Sequence, residues 1–187
     1  TLETVAEIFS ELPEVQWIQG VGSWFDIHGR PRAVPPASRA LNVYDVLAGH
    51  YLGIQQESVF WRRSLWERAG GRLDQSLTCA ADLDLWLRFY RLAPLCHVQT
   101  LLGGFRVHGD QLGDLGNGLY QREAGQLYAR FLTSYDRRSR ARARLLRLVG
   151  PNLSRIVGDR LNRAGLLPWY RHPRVVFDFD RLTWLLR

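Results

Sequence analysis

The chain has 187 residues, 46% of them apolar and 12% aromatic, enough to bury a sizeable core and to exclude a disordered or fibrous polypeptide. All 25 of its cations are arginines, set against 18 acids for a formal charge of +7, and it contains no methionine. The charge is uneven: residues 137–187 carry 13 arginines and three acids, net +10, whereas residues 1–136 carry 12 arginines and 15 acids, net −3. A coding bias toward GC-rich codons yields arginine-only cations, so the arginine count does not by itself imply phosphate recognition.

TLETVAEIFSEL spaces Leu2, Val5, Ile8, Phe9 and Leu12 as one helical face from the first residue onward, as expected of a piece of a longer chain. PEVQWIQGVGSWFDIHGRPRAV alternates around Val15, Trp17, Ile18, Val21, Trp24 and Phe25, predicting a strand, a turn at HGRP and a return closed by Pro35 and Pro36. LNVYDVLAGHYLG predicts a short helix and IQQESVFWRR an extended segment. The helix SLWERAGG follows, with Ser64 as N-cap, Glu67 in the capping-box position, and Gly70 and Gly71 as its end. A helix from about Asp82 to Leu92 stops near Pro94. LCHVQTLLGGFRVHGDQ predicts one or two strands broken by Gly103 and Gly104, and GNGLYQREAGQLYARFLTSY a helix with Leu119, Tyr120, Leu127, Tyr128 and Phe131 on its apolar side. The tail continues as the basic amphipathic run RRSRARARLLRLV, a further helical pattern at LSRIVGDRLNRAG, and the aromatic end WYRHPRVVFDFDRLTWLLR.

Cys79 and Cys96 are too few for a disulfide framework and lack the close pairing of a zinc site, so both are expected as buried, reduced thiols. There is no secretory leader and no apolar run of about 18 residues, which favours the cytoplasm.

Several polar groups could carry chemistry. Asp82 and Asp84 lie about 200° apart on a helix and cannot face one site. Asp84 has Arg88 one turn on as an ion-pair partner. Asp82 reads either as the helix N-cap or as a general base, held ionised at a helix N-terminus and able to take a proton from a hydroxyl attacking carbon. His108 reads as an ordinary surface or core histidine, or as a metal ligand. Gln55, Gln56, Glu57 and Ser58 read as the polar side of a loop, or as hydrogen-bonding partners for sugar hydroxyls. Arg62 and Arg63 could neutralise a phosphate, whereas Trp61, Trp66 and Trp86 favour a core role.

QQESVFWRR, WERAGG with LDQSL, ADLDLWLR and FRVH, in that order through residues 51–112, resemble the second half of family-2 glycosyltransferases of the GT-A fold; residues 1–35 resemble the helix and strand before it. The resemblance implies an α/β, partial GT-A (Rossmann-like) core over residues 1–112, followed by a mainly helical basic extension over 113–187. It implies that Asp82 is the base of an inverting displacement, with Asp84 as second choice because Ala81 stands where the family often has glutamate. It further implies that His108 helps hold a divalent metal or the diphosphate, and that Gln55, Gln56, Glu57, Ser58, Arg62 and Trp86 line the sugar pocket. The cofactor implied is Mn²⁺ or Mg²⁺ in the complete protein, and the partners are a nucleotide-sugar donor and a glycan or lipid-linked acceptor. The nucleotide-binding half with its DXD motif does not appear, so this chain alone is expected to be inactive. The alternative is a non-catalytic module, derived from such a transferase, that binds glycan or membrane.

The basic tail reads as a solvated helical face, or as peripheral attachment to the inner face of an anionic membrane, with Trp169, Tyr170 and Trp184 at the apolar boundary. No zinc-finger, helix-turn-helix or aromatic ribonucleoprotein pattern supports nucleic acid as a partner.

Overall fold

The computed structural model describes residues 1–35, 41–108 and 118–187. Helix α1 (Leu2–Glu11) forms on the expected spacing and buries Val5 and Ile8. Strand β1 (Trp17–Gln19) is buried at all three positions, so it is a central strand rather than the half-solvated one its alternation suggested. It ends at Gly20, where a Cβ would lie 2.7 Å from Leu102 Cγ and from the Thr100 carbonyl oxygen. That close crossing divides the expected strand and return between two sheets. β2 (Trp24–Phe25) and β3 (Pro31–Ala33) form their own hairpin, in which the Asp26 carboxylate accepts from the His28 and Arg30 amides at 2.9 and 2.8 Å. Pro36 lies outside the described residues.

Helix α2 (Val43–Leu47) begins in a full capping box between Asn42 and Asp45. A single 3₁₀ turn (Gln56–Ser58) leads into β4 (Val59–Trp61) and α3 (Arg63–Arg68). The expected Ser64 cap is not used: Arg62 occupies the N-cap without a side-chain bond, and Glu67 pairs with Arg63 at 2.9 Å instead. Gly70 and Gly71 end the helix at φ of 103° and 61°, a conformation that favours glycine. Next come α4 (Ala81–Tyr90), β5 (Cys96–Val98) and β6 (Phe105–Arg106). Then α5 (Leu119–Thr133) leads to α6 (Arg137–Val149), capped by Asp136, and to α7 (Pro151–Arg163), β7 (Arg174–Asp178) and β8 (Thr183–Leu186). Residues 109–111, read from sequence as the end of the β6 segment, and 116–117, read as the start of α5, lie outside the described residues.

The architecture is mixed α/β. The larger sheet has the order β4-β1-β5-β7-β8, with β1, β5 and β7 parallel and the two edge strands antiparallel to their neighbours. The smaller sheet has the order β3-β2-β6. β5 and β6 therefore belong to different sheets, and Gly103 and Gly104 let the chain cross between them. A Cβ at Gly103 would sit 1.9 Å from the Glu57 carbonyl oxygen, and one at Gly104 2.1 Å from the Phe25 ring.

Successive β1 side chains feed opposite cores. Trp17 packs with Leu65, Trp86, Phe89 and Leu95, under α4 and α5, while Ile18 packs with Val5 and Ile8 of α1 and with Val98, Val175 and Trp184. Each such apolar side chain contributes about 1.5–3 kcal/mol by leaving water. Residues 113–187, read from sequence as a mainly helical extension, thus also supply two strands to the central sheet and Trp184 to its core.

The aromatic end is tied down by a buried polar junction. Asp45 accepts from Tyr170 Oη at 2.7 Å, from His172 Nε2 at 2.8 Å and from the Asn42 amide at 2.9 Å. Tyr170 and Trp184 are buried and Trp169 is half-buried, edge-on to Tyr44, so these rings do not form the exposed apolar boundary expected of them. Trp169 carries the Arg142 guanidinium 4.6 Å from its ring centre.

Candidate functional site

The end of β1, the small sheet, the loop before β4 and the first turn of α4 converge on a cleft of about 590 Å³. Gln19 comes from β1, Trp24 and Phe105 from the small sheet, and Tyr51 to Glu57 from the loop. Asp82, Leu83 and Trp86 come from one face of α4, and Tyr120 from α5. The position of the loop is set by close packing. Gln55 donates its amide to the Ser23 carbonyl at 2.7 Å, and its Oε1 lies where a Cβ on Gly22 would come within 2.5 Å. Gln19 Nε2 donates to the Gly53 carbonyl at 3.1 Å.

Asp82 is not the helix cap: Ala80 holds that position, and Asp82 sits in the first turn, where its Oδ1 accepts from the Leu83 amide at 2.7 Å. The amides ahead of the helix are satisfied from a distance. Glu123 of α5 accepts from the Thr78, Cys79 and Ala80 amides at 2.9, 2.9 and 3.0 Å. Those bonds hold the Glu123 carboxyl below its ordinary range.

Burial pushes the Asp82 carboxyl above its ordinary 3.8, against the lowering influence of the Leu83 and Asp82 amides. The sequence led one to expect the helix N-terminus to dominate and lower its basicity; desolvation in the cleft outweighs it. Tyr120 faces the same region, its hydroxyl pushed up to about 12 by burial first and by the Asp82 charge second.

Six buried side-chain polar atoms lack a hydrogen-bond partner among the described residues, and three of them, Gln19 Oε1, Gln55 Oε1 and Trp86 Nε1, belong to cleft-lining residues. Each such group costs about 1–3 kcal/mol.

Asp82, Gln55, Gln56, Glu57 and Trp86 line the cleft. Trp86 is only 3% exposed, stacked 5.9 Å from Trp17, so it contributes an edge to the floor and the rest of its ring to the core. The other expected site residues fall elsewhere. Asp84 faces away and binds Arg88 at 2.9 Å; the Arg88 guanidinium also reaches the Ala69 and Arg72 carbonyls, closing the end of α3. Ser58 is fully buried, donating to the Gln55 carbonyl at 3.0 Å. Arg62 spends its guanidinium on the carbonyls of Phe9, Leu12 and Val15, where a cation complements the C-terminus of α1. His108 is exposed, beyond β6, and does not line the cleft. Among the described residues no group of three or more His, Cys, Asp or Glu side chains comes together.

Sequence reasoning missed Gln19, Trp24, Tyr51, Phe105 and Tyr120. Only Gln19 left a signal, an amide within a strand that is otherwise apolar. No protein-family model matches the chain, and no curated protein matches it significantly.

Proposed function

We propose that the chain is the acceptor-side portion of an inverting glycosyltransferase, which moves a sugar from a nucleotide-sugar donor to a hydroxyl acceptor in glycan or cell-surface polysaccharide synthesis. The observation that carries this reading is Asp82: a carboxylate of raised basicity, half-buried in a cleft whose walls combine aromatic rings with amide groups. That combination suits a saccharide, whose faces are apolar and whose edges are hydroxyls. A second carboxylate, Glu57, and the amides of Gln55 and Gln56 offer further hydrogen bonds to acceptor hydroxyls.

In the proposed reaction the acceptor hydroxyl donates a hydrogen bond to Asp82. As its oxygen attacks the anomeric carbon the proton passes to the carboxylate, and the nucleoside diphosphate leaves from the opposite side with inversion. A base with raised pKa is better matched to that proton than an ordinary surface aspartate. The partial GT-A assignment, the nucleotide-sugar donor and Mn²⁺ or Mg²⁺ belong to the complete transferase in this proposal.

Two measurements test it. Titration of the chain with a panel of mono- and oligosaccharides, followed by tryptophan fluorescence, is expected to detect a ligand whose affinity falls in Gln55→Ala. In the protein carrying this chain with its donor-binding portion, Asp82→Asn is expected to lower turnover by about 10²-fold or more while acceptor binding persists. Unchanged turnover in Asp82→Asn refutes the assignment of the base. A cleft that binds saccharide in a protein without transfer activity favours the non-catalytic glycan-binding module.

A further inference from the structure

Helix α6 reads RRSRARARLLRLV, six arginines and no acid. Ala143 and Leu146 form its packed side. At about 100° per residue, Leu145 and Leu148 fall on the opposite side, and they are 62% and 85% exposed. Arg137 and Arg144 flank that stripe on one edge and Arg138 on the other, all three exposed. The next helix also exposes an apolar face. Leu153, Ile156 and Val157 of α7 share one exposed face, while Gly158, on the other side, packs so tightly that a Cβ there would lie 2.2 Å from the Tyr170 ring.

We infer that the outer faces of α6 and α7 form a docking surface for an anionic lipid bilayer, on which the helices lie in the interfacial plane. Exposed leucines bordered by cations match the two layers of such a surface, acyl chains beneath phosphate headgroups. The charge pattern disfavours a symmetric pairing of α6 with α6 of a second copy, which sets arginines against arginines without an acid from that helix to relieve them. Nucleic acid would satisfy the arginines but leave Leu145 and Leu148 in water. Among the described residues no helix is long and apolar enough to cross a membrane, so the contact is peripheral. This inference uses no residue of the cleft and stands independently of the proposed reaction.

The test is co-sedimentation of the 187-residue chain with vesicles of phosphatidylcholine alone or of an equal mixture with phosphatidylglycerol, at low and at physiological salt. Binding is expected on the anionic vesicles only, and it should weaken with salt. Arg137→Gln with Arg144→Gln should weaken it by about 25-fold, at about fivefold per arginine. Leu145→Ser with Leu148→Ser should weaken it by about tenfold or more, with circular dichroism unchanged because both side chains are exposed. The inference is overturned if anionic vesicles bind no better than neutral ones, or if the double serine variant binds as well as wild type. It is likewise overturned if sedimentation velocity reveals a dimer that the double serine variant dissolves.

Discussion

Asp45→Ala should cost this protein more stability than any surface substitution, because Asp45 is the acceptor at the centre of the junction between α2 and the chain's last segment. Its carboxylate takes three hydrogen bonds, from Tyr170, His172 and the Asn42 amide, at 2.7–2.9 Å, in a site only 5% exposed. Hydrogen bonds to a charged group are worth about 1.5–3 kcal/mol each but are not additive. Breaking a buried charged cluster by removing one partner costs about 3–5 kcal/mol, and about 4 kcal/mol is the expected loss. For a chain of this length that lowers the melting temperature by about 8–16 °C.

The pH dependence has a definite sign. Burial alone would raise the Asp45 carboxyl, but the His172 bond and charge, with the Asn42 and Tyr170 bonds, hold it below its ordinary 3.8. The ionised group therefore stabilises the fold above that value, and the contribution is lost as pH falls through the lower folded pKa. The assay is urea denaturation at neutral pH and at about pH 3, together with a double-mutant cycle using Tyr170→Phe, where a coupling of about 1–2 kcal/mol is expected. A loss below about 1 kcal/mol for Asp45→Ala, or strict additivity with Tyr170→Phe, would refute the argument that this junction holds the C-terminal segment.

Asp82→Asn should act in the opposite direction. Because burial raises the folded pKa of Asp82, its favourable contribution is complete below 3.8 and is lost as pH rises through the folded value, so the neutral amide should melt no lower than wild type at pH 7, and higher if the shift is large; a lower melting temperature there would show that the carboxylate is structural. Glu123→Gln sets an amide NH₂ against backbone donors, so hydrogen exchange at the Thr78, Cys79 and Ala80 amides should accelerate at neutral pH, and saccharide affinity should fall with it. Unaltered exchange would mean that the first turn of α4 is held by other groups. Gly103→Ala must displace backbone, since its Cβ meets the Glu57 carbonyl oxygen at 1.9 Å, and about 3 kcal/mol of destabilisation is expected. Gly29→Ala, with open space but φ at 79°, should cost only about 1 kcal/mol, and equal losses in denaturant would contradict the crossing of chains at Gly103.

Local pattern determined much of this protein before any packing was considered. The apolar periodicity of α1 and α5, the glycine stop after α3 and the Asp84–Arg88 pair depend on residues within a turn or two of each other, and each forms as its spacing predicts. The Ser64 cap failed because Arg63, one residue earlier, already turns helically and binds Glu67, a competition between neighbours that composition cannot rank.

Tertiary structure decided the site. Whether Asp82 caps its helix or faces a cleft depends on where α4 begins: the helix starts at Ala81, one residue ahead of Asp82, and Glu123, 41 positions later, ties down the Thr78, Cys79 and Ala80 amides that precede it. Its raised basicity depends on walls drawn from β1, the small sheet and α5, and no local rule reports desolvation. Arg62 and Ser58 look like ligand-binding groups when read beside Gln55 and Gln56, yet the one is consumed by carbonyls about 50 residues away and the other is sealed beneath its own turn. The tail divides in the same way. Its arginine spacing is a local property, but only the burial of Tyr170 and Trp184, set against the exposure of Leu145 and Leu148, determines which apolar groups remain for a partner. Hydrogen bonds and apolar surface are finite, and the sequence states the supply of each while the fold decides where it is spent.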